Sequence, residues 1–441
     1  MKAPPHQHGT NVVATMGESP SRVGLAMEPR YEGSFVDVKQ RSDGARPRRY
    51  GQWSRAAAFL VGMALLGCVE EPDPVGLSVI PPSDFVTIDS SAVRARRSYS
   101  AFAITGTKLT PRISVGKADD MESWLFLRYT QYPASLVDAK ILSAELSLRT
   151  TYHFGDSTGS LNFLVREALM SWYGDSLTLD SIKLGSYVGP TATPEVSFGS
   201  VGDDSTITFE LDTALVGSWF TTVGGTLPQN FGIALEPTSV GVIRGFGSFG
   251  APEAYRPQLM IRYLGIASTE PDTAILTSGL GRYIAGVSDD SWAADSTVLF
   301  VRNGIAYRPI IGFDVDWSSV PELPPDAAIH NAVLELTLDP ARSRFNSHTR
   351  DSVLAVYVDE IGYVESYFRV SNPSATVNGR TVFTIGLTNF VQRWVIERSV
   401  STIAISGLTE NSTFDTFAFY GTAAADSTVR PRMNIIYSPP R

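Results

Sequence analysis

The sequence predicts an all-β protein whose body consists of two tandem, jelly-roll-like β-sandwich domains. Three observations support this prediction: strand-like segments are short, turn residues separate them, and the chain repeats itself once. Of its 441 residues, 43% are hydrophobic and 18% are charged, which is enough apolar material for two sizeable cores. The 37 glycines, 27 prolines and 10% aromatic residues favour many short strands over long helices.

Strand-like segments recur along the body, where no long stretch has helical periodicity. The segment from Ala144 to Leu148 illustrates the pattern, because its apolar residues alternate with Glu145 and Ser147. This alternation is typical of a strand that is buried on one face and solvated on the other. Turn residues separate such segments at short intervals, as sandwiches and barrels require.

One short helix is expected in each half of the body, over residues 213–220 and 388–396. Apolar residues recur there at i, i+4 spacing, and we expect Trp219 and Trp394 to pack into the sandwich edge. Residues with short polar side chains are expected to cap these helices: Thr213, Thr388 and Asn389.

Four segments of the first half recur in the same order in the second half. The matches pair 141–148 with 329–336, 208–219 with 382–394, 231–235 with 402–405, and 256–263 with 430–437. Their spacings range from 170 to 188 residues, and a shared order with drifting spacing indicates duplicated domains with loop insertions. The polar stretch 265–273 is the expected boundary between the two domains.

An apolar run of 12 residues, Ala56 to Gly67, precedes the single cysteine, Cys68. The run is too short to cross a bilayer as a helix, which needs about 20 residues. Basic residues lie upstream and a small residue stands directly before the cysteine, as in a signal peptide. Leu65-Leu66-Gly67-Cys68 resembles the lipobox of bacterial lipoproteins, which implies that Cys68 is lipidated and the signal is cut before it. The alternative is a buried apolar helix that ends in a small hydrophobic residue.

The composition divides the chain into six segments. In order, they are residues 1–45, disordered or an upstream start-site extension; 46–67, the lipoprotein signal peptide; 68–90, a tether; 91–264, the first sandwich; 265–273, a linker; and 274–441, the second sandwich. The resemblance to lipoproteins implies a location in the cell envelope, anchored by lipid at the outer membrane. The acidic pair Glu70 and Glu71 is either a surface-export signal or part of a solvated tether.

The repeated landmarks resemble the DNRLRE-type domain, a secreted β-sandwich found in bacterial surface proteins and beside carbohydrate-active modules. The first copy supplies Ala144, Val165, Glu167, Trp172, Trp219, Gly232, Arg256 and Pro257. The second copy supplies Ala332, Val358, Glu360, Trp394, Arg430 and Pro431. The second copy has Glu365 at the position of Trp172, and the first has Leu179 where the family often has another tryptophan. These departures weaken the transfer of a sugar-binding aromatic surface, so the resemblance implies fold and location without a mechanism.

Motifs for catalysis and metal binding are sparse. A single cysteine excludes an internal disulfide framework and a multi-cysteine metal site. Residues 155–159 match the G-x-S-x-G string of hydrolases, but they lie in a turn-rich stretch that favours a hairpin loop. The acidic pairs are expected to be solvated turns rather than Ca²⁺ ligands: Asp119–Asp120, Asp203–Asp204 and Asp289–Asp290. We therefore expect no enzymatic activity, no cofactor and no metal.

Aromatic side chains are the candidates for contact with a ligand. Trp172, Trp219 and Trp394 are expected to pack in the cores, since each can bury a large area. Four less regularly placed aromatics are the candidates for an exposed sugar-stacking face: Tyr152, Phe154, Tyr173 and Tyr187.

Net charge limits the class of partner. The chain carries −9 overall; residues 1–67 hold nine basic and five acidic residues, which leaves 27 basic and 40 acidic, or −13, for the rest. Such a surface repels a phosphate backbone, so nucleic-acid binding is not expected. The leading hypothesis is a non-catalytic protein held to the membrane by lipid on Cys68, whose sandwiches bind a glycan or an envelope partner. The alternatives are a structural or adhesive assembly lipoprotein without small-ligand binding and, third, a polysaccharide hydrolase.

Overall fold

Strands dominate the structure, a computed structural model whose sheets are antiparallel throughout the described chain. It describes residues 88–102, 110–173, 177–191, 194–277, 279–313, 315, 323–346, 353–358, 364–371, 373–377, 379–399 and 402–439. The predicted all-β sandwich fold is confirmed.

The elements lie in the following order. The first half of the described chain holds β1 (Asp89–Phe102), β2 (Arg112–Ala118), β3 (Met121–Arg128), β4 (Lys140–Gly155), β5 (Ser160–Ala168), β6 (Val188–Thr191), β7 (Val196–Ser200), β8 (Thr206–Glu210), β9 (Ile233–Pro237), β10 (Val242–Gly247) and β11 (Gln258–Leu264). The second half holds β12 (Asp272–Thr277), β13 (Leu280–Val287), β14 (Val298–Arg302), β15 (Tyr307–Phe313), β16 (Ala328–Thr337), β17 (Val353–Val358), β18 (Val364–Ser371), β19 (Pro373–Val377), β20 (Arg380–Gly386), β21 (Thr402–Gly407), β22 (Thr416–Tyr420) and β23 (Arg432–Ser438). The α-helices of the described residues are α1 (Leu179–Leu184), α2 (Thr213–Ser218) and α3 (Thr388–Glu397).

Twelve strands, β2 to β13, form the first sheet system, which we call sandwich 1. The long strand β4 joins its two layers, because β4 pairs with β11 and β8 over residues 140–149 and with β10 over residues 150–155. The pairing of β10 with β4 has a register shift between Gly245 and Phe246, close to the point where β4 changes its partners. From Ala144 onward every second residue of β4 is buried up to Phe154, which matches the alternation read from the sequence.

Eleven strands, β1 and β14 to β23, form the second sheet system, sandwich 2. Here β1 joins the two layers: residues 89–94 pair with β23, and residues 95–102 pair with β15. A register shift lies between Ala95 and Arg97, where the strand passes from one layer to the other. Bulges of this kind bend a strand and increase its twist, so one strand can serve two layers.

Membership of the two sandwiches does not follow the order of the chain. The stretch 265–273 lies between β11 and the first residues of β12, but β12 and β13 pair with β11 and β3 and thus belong to sandwich 1. Strand β1, which precedes all of sandwich 1, belongs to sandwich 2. The segment 91–264 was expected to form one sandwich. Its first strand, β1, instead belongs to sandwich 2, and β12 and β13, which follow the segment, belong to sandwich 1.

The sequence repeat is also a repeat of strand register. Ala144 lies opposite Ile261 between β4 and β11, and Ala332 lies opposite Ile435 between β16 and β23. These are the residues that the sequence match pairs, at spacings of 188 and 174. Because a slip of one residue would turn every side chain to the opposite face, the shared register places equivalent side chains in both cores.

The match of 208–219 with 382–394 is displaced by two residues in the structure. Leu146 lies opposite Phe209, whereas its counterpart Leu334 lies opposite Ile385 rather than Phe383. A displacement of two keeps the same face of the strand buried, since side chains alternate with a period of two. The apolar pattern therefore does not distinguish the two alignments.

Both predicted helices are present, but their caps differ from the prediction. In α2, the carboxylate of Asp212 accepts a hydrogen bond from the amide of Ala214 at 2.7 Å, so Asp212 is the cap instead of Thr213. In α3, Thr388 Oγ1 accepts from the amide of Ala332 at 3.2 Å and thereby ties the helix to β16. A third helix, α1, was not predicted, because its six residues are too few for a recognisable period.

Separate cores fill the two sandwiches, and a third apolar cluster joins them. The tryptophans expected in the interior are buried: Trp172, Trp219 and Trp394. The joining cluster, which we call the seam, consists of Ala118, Met121, Tyr152, Phe154, Ile243 and Tyr283 from sandwich 1 and Ile305, Tyr307 and Phe414 from sandwich 2. Arg112 donates across the seam to the carbonyl of Ser412 at 2.6 Å, and the amide of Phe414 donates to the hydroxyl of Tyr152 at 2.8 Å.

Candidate functional site

A cavity of about 390 Å³ opens where the two sandwiches meet. Its walls come from α1 and the residue before it, from the end of β13 and the loop after it, and from β15. The lining residues are Thr178, Leu179, Asp180, Ala285, Gly286, Val287, Ser288, Asp290 and Tyr307. Most of the wall belongs to sandwich 1, and Tyr307 is contributed by sandwich 2, so the cavity depends on the seam being formed.

Helix α1 is held over the end of β13 by a cap, an ion pair and a glycine. Thr178 Oγ1 accepts from the amide of Ser181 at 3.2 Å, which caps the helix. Lys183 donates to Glu122 of β3 at 2.7 Å. A methyl group added at Gly286 would lie 3.1 Å from Cβ of Leu179, which shows how closely the helix approaches the strand. These contacts place Asp180 at the rim of the cavity.

The loop after β13 places the second carboxylate. Asp289 accepts from the amide of Ser291 at 2.9 Å and so fixes the turn, and Asp290 follows as a lining residue. The hydroxyl of Tyr307 donates to Asp290 Oδ2 at 3.4 Å. Burial and the nearby Asp290 raise the pKa of Tyr307 to about 12. Tyr307 therefore keeps its proton at neutral pH and offers it as a hydrogen-bond donor.

An aromatic and cationic group supports Tyr307 from behind. The ring of Trp292 lies 4.8 Å from that of Tyr307, and the guanidinium of Arg302 lies 4.5 Å from the centre of the Trp292 ring. Arg302 also makes two hydrogen bonds to Asp120, at 2.7 and 2.6 Å. Its charge is therefore compensated by Asp120 outside the cavity wall.

The cavity lining combines apolar residues with acidic and hydroxyl-bearing ones. Two carboxylates, Asp180 and Asp290, and three hydroxyls line it, and none of its lining residues is basic. Carboxylates and hydroxyls bind the hydroxyl groups of a polyol, and the carboxylates also favour an ammonium group. An anionic ligand would be repelled. Within the described residues, no group of three or more His, Cys, Asp or Glu is arranged to hold a metal ion.

Two of the four aromatic candidates for a sugar-stacking face are buried. Tyr152 and Phe154 are only 5% and 4% exposed, because both belong to the seam. They continue the buried alternation of β4, so the period that predicted the strand also predicts their burial. Tyr173 and Tyr187 are half-buried and pack against the cluster around Trp172, and neither is among the residues that line the cavity. Cys68, the expected lipidation site, lies outside the described residues.

The acidic pairs have local partners. Asp120 is paired with Arg302, and in the second pair Asp203 contacts His153 while Asp204 contacts Arg149. These contacts account for the first two pairs as turns held by neighbouring side chains. Of the third pair, Asp290 lines the cavity, a role that no sequence motif around it indicates.

The G-x-S-x-G stretch is a turn between β4 and β5, but it is not a hairpin, because these two strands are not neighbours in the sheet. The buried guanidinium of Arg244 donates to the carbonyl of Ser157 at 2.9 Å and holds the turn from below. A nucleophile elbow needs a helix after the serine, and here strand β5 follows. The stretch is therefore structural.

No family model and no curated protein matches the chain. Among solved structures, one of the Macrobrachium rosenbergii nodavirus aligns over 81% of this chain and 91% of that chain, with 10% identity and a TM-score of 0.11. A TM-score this low carries no argument about fold or function. No helix in the described part of the chain combines the length and apolar character needed to cross a membrane.

Proposed function

We propose that this chain is a non-catalytic cell-envelope protein, anchored by lipid on Cys68, that binds a glycan in the cavity at the seam. The single observation that carries the ligand proposal is the composition of that cavity. Two carboxylates and three hydroxyls line it together with apolar residues, and no basic residue does. Neutral sugars present hydroxyls to such oxygens and C–H groups to such apolar side chains, so this chemistry suits them.

The roles of the lining residues follow from their chemistry. Asp180 and Asp290 would each accept hydrogen bonds from sugar hydroxyls, and Tyr307, which donates to Asp290, would hold that carboxylate in place. Hydrogen bonds to a charged group contribute about 1.5–3 kcal/mol each, so removal of one carboxylate charge should weaken binding roughly tenfold or more. A glycan that carries a carboxylate or sulfate would bind poorly.

Binding of neutral and sulfated oligosaccharides to the purified chain, by glycan array and then by titration calorimetry, tests the ligand. We expect affinity for a neutral glycan that falls in Asp180→Asn and Asp290→Asn. Glu210→Gln is the matched control, because Glu210 is an exposed carboxylate on β8 that does not line the cavity. Equal loss in the control, or binding only of sulfated sugars, would reject the site. Release of new reducing ends would instead indicate a hydrolase.

The anchor is tested separately. Cys68→Ser should move the protein from the membrane fraction to the soluble fraction and abolish labelling by radioactive fatty acid. Unchanged fractionation and labelling would reject the anchor without affecting the cavity.

A second candidate function is structural or adhesive assembly without a small ligand. The observation that favours it is the sheet membership of β1. This strand comes directly before sandwich 1 in the sequence, but it belongs to sandwich 2. A strand in this position can link separate bodies.

A further inference from the structure

Strand β1 fills in sandwich 2 the position that β12 and β13 fill in sandwich 1. In sandwich 1, β12 pairs with β11 and β13 pairs with β3. In sandwich 2, the two halves of β1 pair with β23 and β15, which are the counterparts of β11 and β3. Val93 lies opposite Met433 as Leu276 lies opposite Leu259, so even the buried pairs correspond.

The way each position is filled along the chain differs. In sandwich 1 the strands that fill it follow β11 after a short connection, Gly265 to Pro271. In sandwich 2 the position is filled by β1, which precedes all strands of sandwich 1 in the sequence, whereas the other strands of sandwich 2 follow them. The chain thus has one strand that it can donate, β1, and one site that accepts such a strand, the gap between β15 and β23 that β1 occupies.

Side-chain packing holds β1 less firmly than its counterparts. Among the described side chains of β1, the buried ones are Val93, Ser98 and Ser100, and only the first is a hydrophobic residue. By contrast, β12 and β13 bury large side chains such as Leu276 and Tyr283. Backbone hydrogen bonds and small polar contacts therefore supply most of the attachment of β1, and a strand with the same backbone restores them fully.

We propose that β1 also pairs with sandwich 2 of a second copy of this chain, so that copies associate head to tail through an exchanged strand. The donor and acceptor of the second copy are chemically identical, so every contact within the sandwich is reproduced. The loss of the intramolecular advantage opposes the exchange, and this loss shrinks as the concentration of chains rises. Reciprocal exchange between two chains gives a closed dimer, and one-way exchange from chain to chain gives an open assembly.

Cysteine cross-linking at the β1–β23 pairing tests the proposal. Ser90 and Ile436 are exposed and directly opposite each other, at a separation that suits a disulfide in antiparallel strands. In the full chain with Cys68→Ser, one variant carries Ser90→Cys and another carries Ile436→Cys. The two are unfolded together, refolded at high concentration and oxidised. We expect a disulfide-linked heterodimer on non-reducing electrophoresis.

The control mixture combines Ser90→Cys with Thr208→Cys, since Thr208 is exposed on β8 and far from β1 in the sheet order. Both mixtures contain one thiol per chain, so random collision gives them equal amounts of dimer. Exchange predicts a clear excess in the first mixture that grows with protein concentration. Equal dimer in both mixtures overturns the proposal. A double variant, Ser90→Cys with Ile436→Cys in one chain, must form the bond within the monomer; failure to do so would overturn the pairing itself.

Discussion

The seam should make the two sandwiches unfold together, and Phe414→Ala is the substitution that tests this most directly. Phe414 is 1% exposed, and its ring lies 5.6 Å from Tyr283 and 6.5 Å from Phe154, both from sandwich 1. Replacing a fully buried phenylalanine with alanine costs about 3–5 kcal/mol, as lost transfer energy plus a cavity. The backbone hydrogen bond from Phe414 to Tyr152 is retained, so we expect about 4 kcal/mol from the side chain alone.

Urea unfolding followed by tryptophan fluorescence and far-UV circular dichroism measures this cost. Wild type should show a single transition, and Phe414→Ala should lower its midpoint or split it into two transitions as the sandwiches separate. Phe345→Ala is the control, because Phe345 is 38% exposed and its removal should cost less than about 1.5 kcal/mol. An unchanged midpoint in Phe414→Ala, or two transitions already present in wild type, would refute coupling through the seam.

Three further substitutions probe single contacts, each measured as a change in the free energy of unfolding. Gly116→Ala should destabilise by more than about 3 kcal/mol, since φ is +144° and the added carbon would lie 2.2 Å from the carbonyl oxygen of Val242; a loss below 1 kcal/mol would contradict the close approach. Asp120→Asn should cost about 2 kcal/mol, because it leaves the nearly buried Arg302 without its carboxylate, and a neutral result would mean that solvent compensates the guanidinium. Although burial raises the pKa of Glu122, hydrogen bonds from Lys183 and from the indole N–H of Trp124 lower this pKa overall, below its ordinary value. The stability it contributes is therefore present above about pH 4.5 and lost as the pH falls further, so Glu122→Gln should destabilise at pH 7 and converge with wild type in acid; a pH-independent difference would reject the ion pair as the cause.

Local patterns were sufficient to predict the strands, both amphipathic helices and the repeat. Alternation in β4 identifies Leu146 as buried, and the repeat identifies Leu334 as its counterpart, and both are confirmed. Such patterns record which face of an element is apolar, and the physical requirement for a buried face is the same in any sandwich. The same alternation, extended to the end of β4, places Tyr152 on the buried face.

Local sequence patterns do not indicate which strands pair when the strands are far apart in the sequence. Nothing in the pattern of β1 distinguishes pairing with β23 from pairing with β11, because Val93 can face either Met433 or Leu259. The cavity was missed for the same reason, since Asp180 and Tyr307 are more than a hundred residues apart in the sequence. Each looks like an ordinary surface or strand residue until the seam brings the two together.

The crossed sheet membership also determines what happens when the polypeptide is cut. Residues Gly265 to Pro271 link β11 to β12, and Ile266 is 79% exposed, so a protease can reach this connection. After such a cut, β1 of the N-terminal fragment would remain paired within sandwich 2. Likewise, β12 and β13 of the C-terminal fragment would remain paired within sandwich 1. A nicked molecule should therefore elute as one particle until a denaturant separates the pieces, and the distal half would stay attached to whatever holds the N-terminal fragment in place.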